Sequence, residues 1–132
     1  MKNIYLIATF LVSFSFAGLA QQDGGRVQAY KIAYLTKKLS LTPQEAQRFW
    51  PVYNQYENEL RAVRAEGRQS GKSEIEIEEK VLNTRKKYNT EFGKAISAEK
   101  VNILFRSEKE FNTLVQKEMM ERRNNRRDKN RK

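Results

Sequence analysis

Residues 40–64 read SLTPQEAQRFWPVYNQYENELRAVR, and this stretch decides the fold class. Thr42 can cap a helix, Pro43 suits the first helical position, and Glu45 completes a capping box with Thr42. Apolar residues then recur every three or four positions, as one face of an α-helix requires. The stretch therefore predicts one long amphipathic helix, whose apolar face is formed by Ala46, Phe49, Trp50, Tyr53, Tyr56, Leu60 and Val63.

Pro51 falls inside this apolar pattern. Proline removes one backbone hydrogen bond from a helix, but the periodicity resumes immediately after it, so we expect a kink and not an end. The helix should stop between Gly67 and Gly71. Large aromatic side chains at helical spacing are more often core than an exposed binding face, and we interpret this aromatic run as core.

The same periodicity extends outward from this stretch in both directions. A preceding helix is predicted over residues 26–39, with Val27, Tyr30, Tyr34 and Leu35 on one side. Ser73 and Glu76 form a second capping box, and Ser97 can cap a fourth helix. We therefore predict an all-α fold of four long amphipathic helices joined by short loops as helix hairpins. The apolar face of the third helix contains Ile77, Val81, Arg85, Tyr88 and Phe92. The apolar face of the fourth contains Val101, Leu104, Phe105, Phe111 and Val115.

An offset of 55 residues relates the second predicted helix to the fourth. It maps Thr42 onto Ser97, Phe49 onto Leu104 and Tyr56 onto Phe111. An internal duplication would produce this relationship. Any two amphipathic helices aligned on their caps would also produce it, because helical spacing is generic.

Residues 1–20 have the layout of a secretory signal peptide. Lys2 provides a positive start, an apolar run follows, and a small residue stands at Ala20 before a polar segment. We expect cleavage after Ala20 and export to the periplasm. A membrane anchor is the alternative, although the run is near the lower length limit for crossing a bilayer and is interrupted by two serines.

Cleavage would leave 112 of the 132 residues, enough for one domain over residues 21–120 and a tail over residues 121–132. The formal net charge would change from +10 to +9. The sequence has no Cys and no His, which excludes thiolate and imidazole nucleophiles and the usual zinc sites. We expect no enzymatic activity and no cofactor. We also expect no metal site, because the acids at 74–79 are favoured at the start of a helix without a metal.

The tail at residues 121–132 contains seven basic and two acidic residues and nothing to bury, so we expect it to be disordered or frayed. Nucleic acid is not an expected partner after export, whereas anionic membrane surfaces and acidic protein segments are. The candidate electrostatic partner-binding residues are Arg122, Arg123, Arg126, Arg127, Lys129, Arg131 and Lys132.

Residues 40–64 resemble the periplasmic Spy/CpxP-like family, and most closely its small exported members labelled sensors of ECF-type sigma factors. The family signature is an L-T-x-x-Q motif at two helix starts. The first copy here is L-T-P-Q-E at 41–45, and the second is I-S-A-E-K at 96–100. Lys100 cannot accept a hydrogen bond, so only the Ser97 cap survives in the second copy. The motif and cap residues are Leu41, Thr42, Pro43, Glu45 and Ser97.

This resemblance implies a protein that works without ATP, as a chaperone-like or envelope-stress adaptor that binds unfolded or partly folded envelope proteins. It also implies a homodimer of long helices. The alternative function is a regulatory module that binds a membrane signalling partner such as an anti-sigma factor. A structural protein that coats an anionic surface is a third hypothesis.

Overall fold

A computed structural model describes the backbone of residues 20–131 and the side chains from residue 24 onward. Every regular element in this part of the chain is an α-helix, so the predicted all-α, four-helix fold is confirmed. The helices are α1 (Ala20–Leu39), α2 (Pro43–Gln69), α3 (Glu74–Ala95) and α4 (Ala98–Lys129). The predicted signal peptide lies outside the described residues except for the backbone of Ala20. None of the helices described here is long and apolar enough to span a bilayer.

Both predicted capping boxes are present. The backbone N–H of Glu45 donates to Thr42 Oγ1 at 3.2 Å, and the N–H of Thr42 donates to Glu45 Oε2 at 2.9 Å. Ser73 and Glu76 make the same reciprocal pair at the start of α3. Ser97 Oγ accepts from the N–H of Lys100 at 3.2 Å. Local side-chain chemistry thus fixes where three of the helices begin.

The connections are short and place two residues at positive φ. Ser40 (φ 47°) turns the chain between α1 and α2, and Gly71 (φ 66°) does so between α2 and α3. Just before the second turn, α2 and α3 approach closely. A Cβ atom on Gly67 would lie 2.6 Å from Ile77 Cγ1, well inside van der Waals contact. The small residue at 67 therefore permits the helices to close at this end of the hairpin.

The core lies where the end of α1 meets α2, α3 and α4 in the unit formed by residues 33–132. α2 and α3 form an antiparallel hairpin, and α4 runs parallel to α2, since Glu45 pairs with Lys100 and Tyr53 with Glu108. The predicted stripe of α2 is largely confirmed, and the helix continues through Pro51. The core cluster consists of Leu35, Leu39, Phe49, Tyr53, Tyr56, Leu60, Tyr88, Phe92, Ala95, Ile96, Val101 and Leu104.

The start of α1 belongs to a separate unit that ends at Ile32. The prediction of an apolar side there is wrong for Val27 and Tyr30, because both are exposed. Val27 and Tyr30 precede the part of α1 that reaches the core, which is represented by the buried Leu35 and Leu39. Helical spacing alone does not say how far along a helix its packing partner extends.

The prediction of a disordered segment over residues 121–132 is wrong for residues 121–129, which continue α4. Arg122 pairs with Glu118 one turn earlier, and such pairs stabilise exposed helices. Arg126, Arg127 and Lys129 occupy the last turn, where cations interact favourably with the helix dipole. The side chains of this segment are exposed, as expected. Lys132 lies outside the described residues.

Candidate functional site

The aromatic residues of α2 form the base on which the candidate site is built. Phe49, Tyr53 and Tyr56 are fully buried, so the interpretation of this run as core is confirmed. Phe92 of α3 lies 5.5 Å from Phe49 and 5.3 Å from Tyr56, measured between ring centroids. Such tilted and edge-on ring pairs stabilise a core beyond the area that they bury. The aromatic seam fixes α3 against α2 below the site.

A buried carboxylate lies beside this seam. Glu108 of α4 is only 4 % exposed. It accepts hydrogen bonds from the hydroxyls of Tyr53 at 2.8 Å and of Tyr56 at 3.1 Å. A buried carboxylate is costly unless it is hydrogen-bonded, and the two tyrosines provide those bonds. The three side chains therefore link α2 to α4 at a single position along both helices.

Arg85 of α3 extends this network toward solvent. Its Nε donates to the hydroxyl oxygen of Tyr56 at 3.3 Å. Partial burial opposes the charge of Arg85, but the bond to Tyr56 and the nearby Glu108 raise its pKa overall. Burial and the charge of Glu108 also raise the pKa of both Tyr53 and Tyr56, which keeps them as neutral donors. A partly buried cation thus joins the network through Tyr56.

Arg85 also lines an open groove of about 630 Å³ along the α2–α3 hairpin. α2 contributes two arginines one helical turn apart, and α3 contributes acidic, apolar and basic side chains. Leu82 is half exposed, while Ile77 forms part of the buried floor. The lining residues are Arg64, Arg68, Glu74, Ile77, Glu78, Val81, Leu82 and Arg85.

The groove combines cationic and apolar contacts, and Glu74 and Glu78 offset part of its positive charge. Arg64, Arg68 and Arg85 present guanidinium groups, which can bind carboxylates through paired hydrogen bonds. Val81 and Leu82 provide apolar contact between these cations. The open form of the groove suits a segment laid along the hairpin. The arrangement can bind a chain that carries both carboxylate and apolar side chains.

The motif residues lie at the other end of α2 and contribute to the fold. Thr42, Pro43 and Glu45 begin α2, and Ser97 begins α4. Leu41 is a partly buried side chain packed against the core. At a rise of about 1.5 Å per residue, the cap at Thr42 lies roughly 33–39 Å along the helix from Arg64 and Arg68. The structure therefore separates the sequence motif from the groove.

The predicted electrostatic residues of the tail are exposed on α4, except Arg131, which is exposed in the turn after it, and Lys132, which is not described. None of them lines the groove. Arg122 pairs with Glu118 on the same helix. The structure thus presents two separate basic regions, one in the groove and one on the last turns of α4.

Glu108 was missed in the sequence, and Arg85 was taken only as part of an apolar face. The signal for Arg85 was a cation at a core position of the predicted third helix. Glu108 lies four residues after Leu104 and three before Phe111, so it also interrupts an apolar stripe. Buried tyrosine hydroxyls need partners, and this requirement connects both residues to α2.

The acidic residues of the described region form no group of three or more that could hold a metal ion. Glu76 is engaged in the capping box of α3, and its hydrogen bonds with the backbone and side chain of Ser73 lower its pKa. No protein-family model, curated protein or solved structure matches the chain.

Proposed function

We propose that this protein is an exported, ATP-independent, chaperone-like or envelope-stress adaptor that binds unfolded or partly folded proteins in the α2–α3 groove. The observation that carries the proposal is the juxtaposition of three arginines with the half-exposed Leu82 in one open groove. Unfolded proteins expose apolar segments together with charged ones, so a mixed surface suits them. The resemblance of residues 40–64 to the Spy/CpxP-like family supports the same activity.

The groove supplies recognition without nucleotide chemistry. Apolar contact at Val81 and Leu82 would remove client surface from water, and the arginines would attract acidic segments before contact. The electrostatic part should weaken with salt, since the Debye length falls from about 10 Å at 0.1 M to about 3 Å at 1 M. Clients with acidic segments should therefore bind faster than neutral ones.

An aggregation assay without nucleotide tests this function. Light scattering of an unfolded client should be suppressed by the protein, and Arg64→Glu combined with Arg68→Glu should reduce the suppression. Arg48→Glu combined with Arg61→Glu is the matched control, because both arginines are exposed on α2 outside the groove and the charge change is the same. Equal loss in both double variants would contradict a role for the groove.

The apolar contribution has its own matched pair. Leu82 and Leu114 are 51 % and 54 % exposed, but only Leu82 lines the groove. We expect Leu82→Ser to weaken the suppression of client aggregation and Leu114→Ser to leave it unchanged.

Export is tested separately by mass spectrometry of the native protein, which should begin at Gln21. A native chain that retains residues 1–20 would contradict cleavage.

A further inference from the structure

The helical form of residues 117–129 separates its cations into two stripes. At about 100° per residue, the doublets Arg122-Arg123 and Arg126-Arg127 each place one arginine on either side of the helix. Arg122, Arg126 and Lys129 continue the side of α4 that contains the buried Phe111. The opposite side of the helix carries Lys117, Met120, Arg123 and Arg127, and Arg131 follows in the turn after the helix. We call these five residues the outer stripe.

The outer stripe has the properties of a surface-docking element. Its five members are exposed, and Met120 near the middle of the run is 65 % exposed. Glu118 and Glu121 fall outside it by their spacing, whereas Asp128 borders it beside Arg127 and Arg131. Its helical part, from Lys117 to Arg127, runs over roughly 15 Å at about 1.5 Å per residue. A straight, convex ridge of this kind fits a flat anionic surface better than it fits a folded segment.

We propose that the outer stripe docks the protein on the surface of a bilayer that contains anionic phospholipids. Lys117 and the three arginines would contact headgroup phosphates, and Met120 would enter the boundary between headgroups and acyl chains. The exposed methionine favours lipid over nucleic acid, since a phosphate backbone offers no apolar layer beneath it. Docking through this side leaves Arg122, Arg126 and Lys129 facing away from the membrane.

Two charge-matched triple variants test the proposal in the full protein. Arg123→Gln, Arg127→Gln and Arg131→Gln neutralise the outer stripe, whereas Arg122→Gln, Arg126→Gln and Lys129→Gln neutralise the opposite side. Binding to vesicles of phosphatidylglycerol and phosphatidylcholine is measured by co-sedimentation at low salt. Each cation near the surface contributes about 1 kcal/mol, so the outer triple variant should bind about 100-fold more weakly. The inner variant should lose much less.

If net charge alone governed binding to the vesicles, both triple variants would lose the same affinity, and that result would overturn the proposal. Tighter binding to duplex DNA than to anionic vesicles at the same salt would also overturn it. The two methionines provide a second test, because both are exposed but only Met120 lies in the stripe. Met120→Ser should weaken vesicle binding several-fold and Met119→Ser should not. Circular dichroism in each variant checks that the helices persist.

Discussion

Lys100 donates a hydrogen bond to Glu45 at 2.7 Å, and each of these residues is the third residue of its helix. Glu45 completes the capping box of α2, whereas Lys100 occupies the equivalent position of α4, where it cannot accept the corresponding bond. Lys100 Nζ also donates to the carbonyl oxygen of Ser40, the turn residue at positive φ. Lys100 is where the second motif copy departs from the first, and its bonds join the start of α4 to the start of α2.

This pair predicts a contribution to acid sensitivity. The hydrogen bond from Lys100, together with that from the Thr42 backbone, lowers the pKa of Glu45 below its ordinary value of 4.5. A lowered carboxyl pKa gives stability that is fully present above the ordinary value and is lost as pH falls through the lowered one. We expect the melting temperature to fall below about pH 4.5, and Glu45→Gln to reduce the slope of that fall.

Thermal melts between pH 2.5 and 7 measure the effect. Glu79→Gln is the control, since Glu79 is exposed on α3. If Glu45→Gln and Glu79→Gln reduce the slope of melting temperature against pH equally, that result would contradict a specific role for the pair of Glu45 and Lys100.

The cap of α2 gives a second prediction. Thr42→Ala removes the oxygen that accepts from the Glu45 backbone, and this should lower the free energy of unfolding by about 0.5–2 kcal/mol. Thr42→Ser keeps the hydroxyl and should cost much less. Urea denaturation of the two variants measures the difference, and equal midpoints for Thr42→Ala and the unaltered protein would contradict the cap.

The buried network gives a third prediction. Glu108→Leu leaves the hydroxyls of Tyr53 and Tyr56 without their acceptor on α4, which should cost about 2–5 kcal/mol. Adding Tyr53→Phe and Tyr56→Phe removes those hydroxyls and should recover part of the loss. The recovery is only partial because Arg85 then loses the Tyr56 oxygen as its acceptor. Chemical denaturation compares the variants. A triple variant less stable than Glu108→Leu alone would contradict this account.

The close approach at Gly67 gives a fourth prediction. Alanine favours a helix over glycine by up to about 1 kcal/mol, but overpacking costs about 1–3 kcal/mol. With Ile77 Cγ1 at 2.6 Å from the added Cβ, the clash should dominate and Gly67→Ala should destabilise the protein. In an Ile77→Ala background the same substitution should become stabilising. The sign change, measured by thermal melting of the four variants, distinguishes packing from backbone flexibility.

The helix starts could be predicted from the sequence because they depend on residues three positions apart. Thr42 with Glu45, and Ser73 with Glu76, required no knowledge of the tertiary structure. The end of α4 could not be predicted in the same way. Composition suggested disorder, whereas one-turn charge pairs and the helix dipole favour continuation.

The candidate site was less accessible to sequence reasoning, for a physical reason. Arg85 interrupts an apolar stripe, which marks it as unusual but does not identify its partner. Its contact with Tyr56 joins residues 29 positions apart, and the contact of Tyr53 with Glu108 joins residues 55 apart. Periodicity describes faces within one helix, while these bonds depend on the register between helices.

The distance along the chain between Tyr53 and Glu108 also orders the events of biosynthesis. At about 5–20 residues per second, a ribosome would add Glu108 roughly 3–11 s after Tyr53, because they are 55 residues apart. A hairpin of α2 and α3 that forms before α4 docks keeps both tyrosine hydroxyls hydrated. Docking of α4 then replaces that water with a carboxylate and covers the aromatic seam. A chain interrupted before Glu108 would leave the seam uncovered, and exposed apolar surface of this kind promotes aggregation.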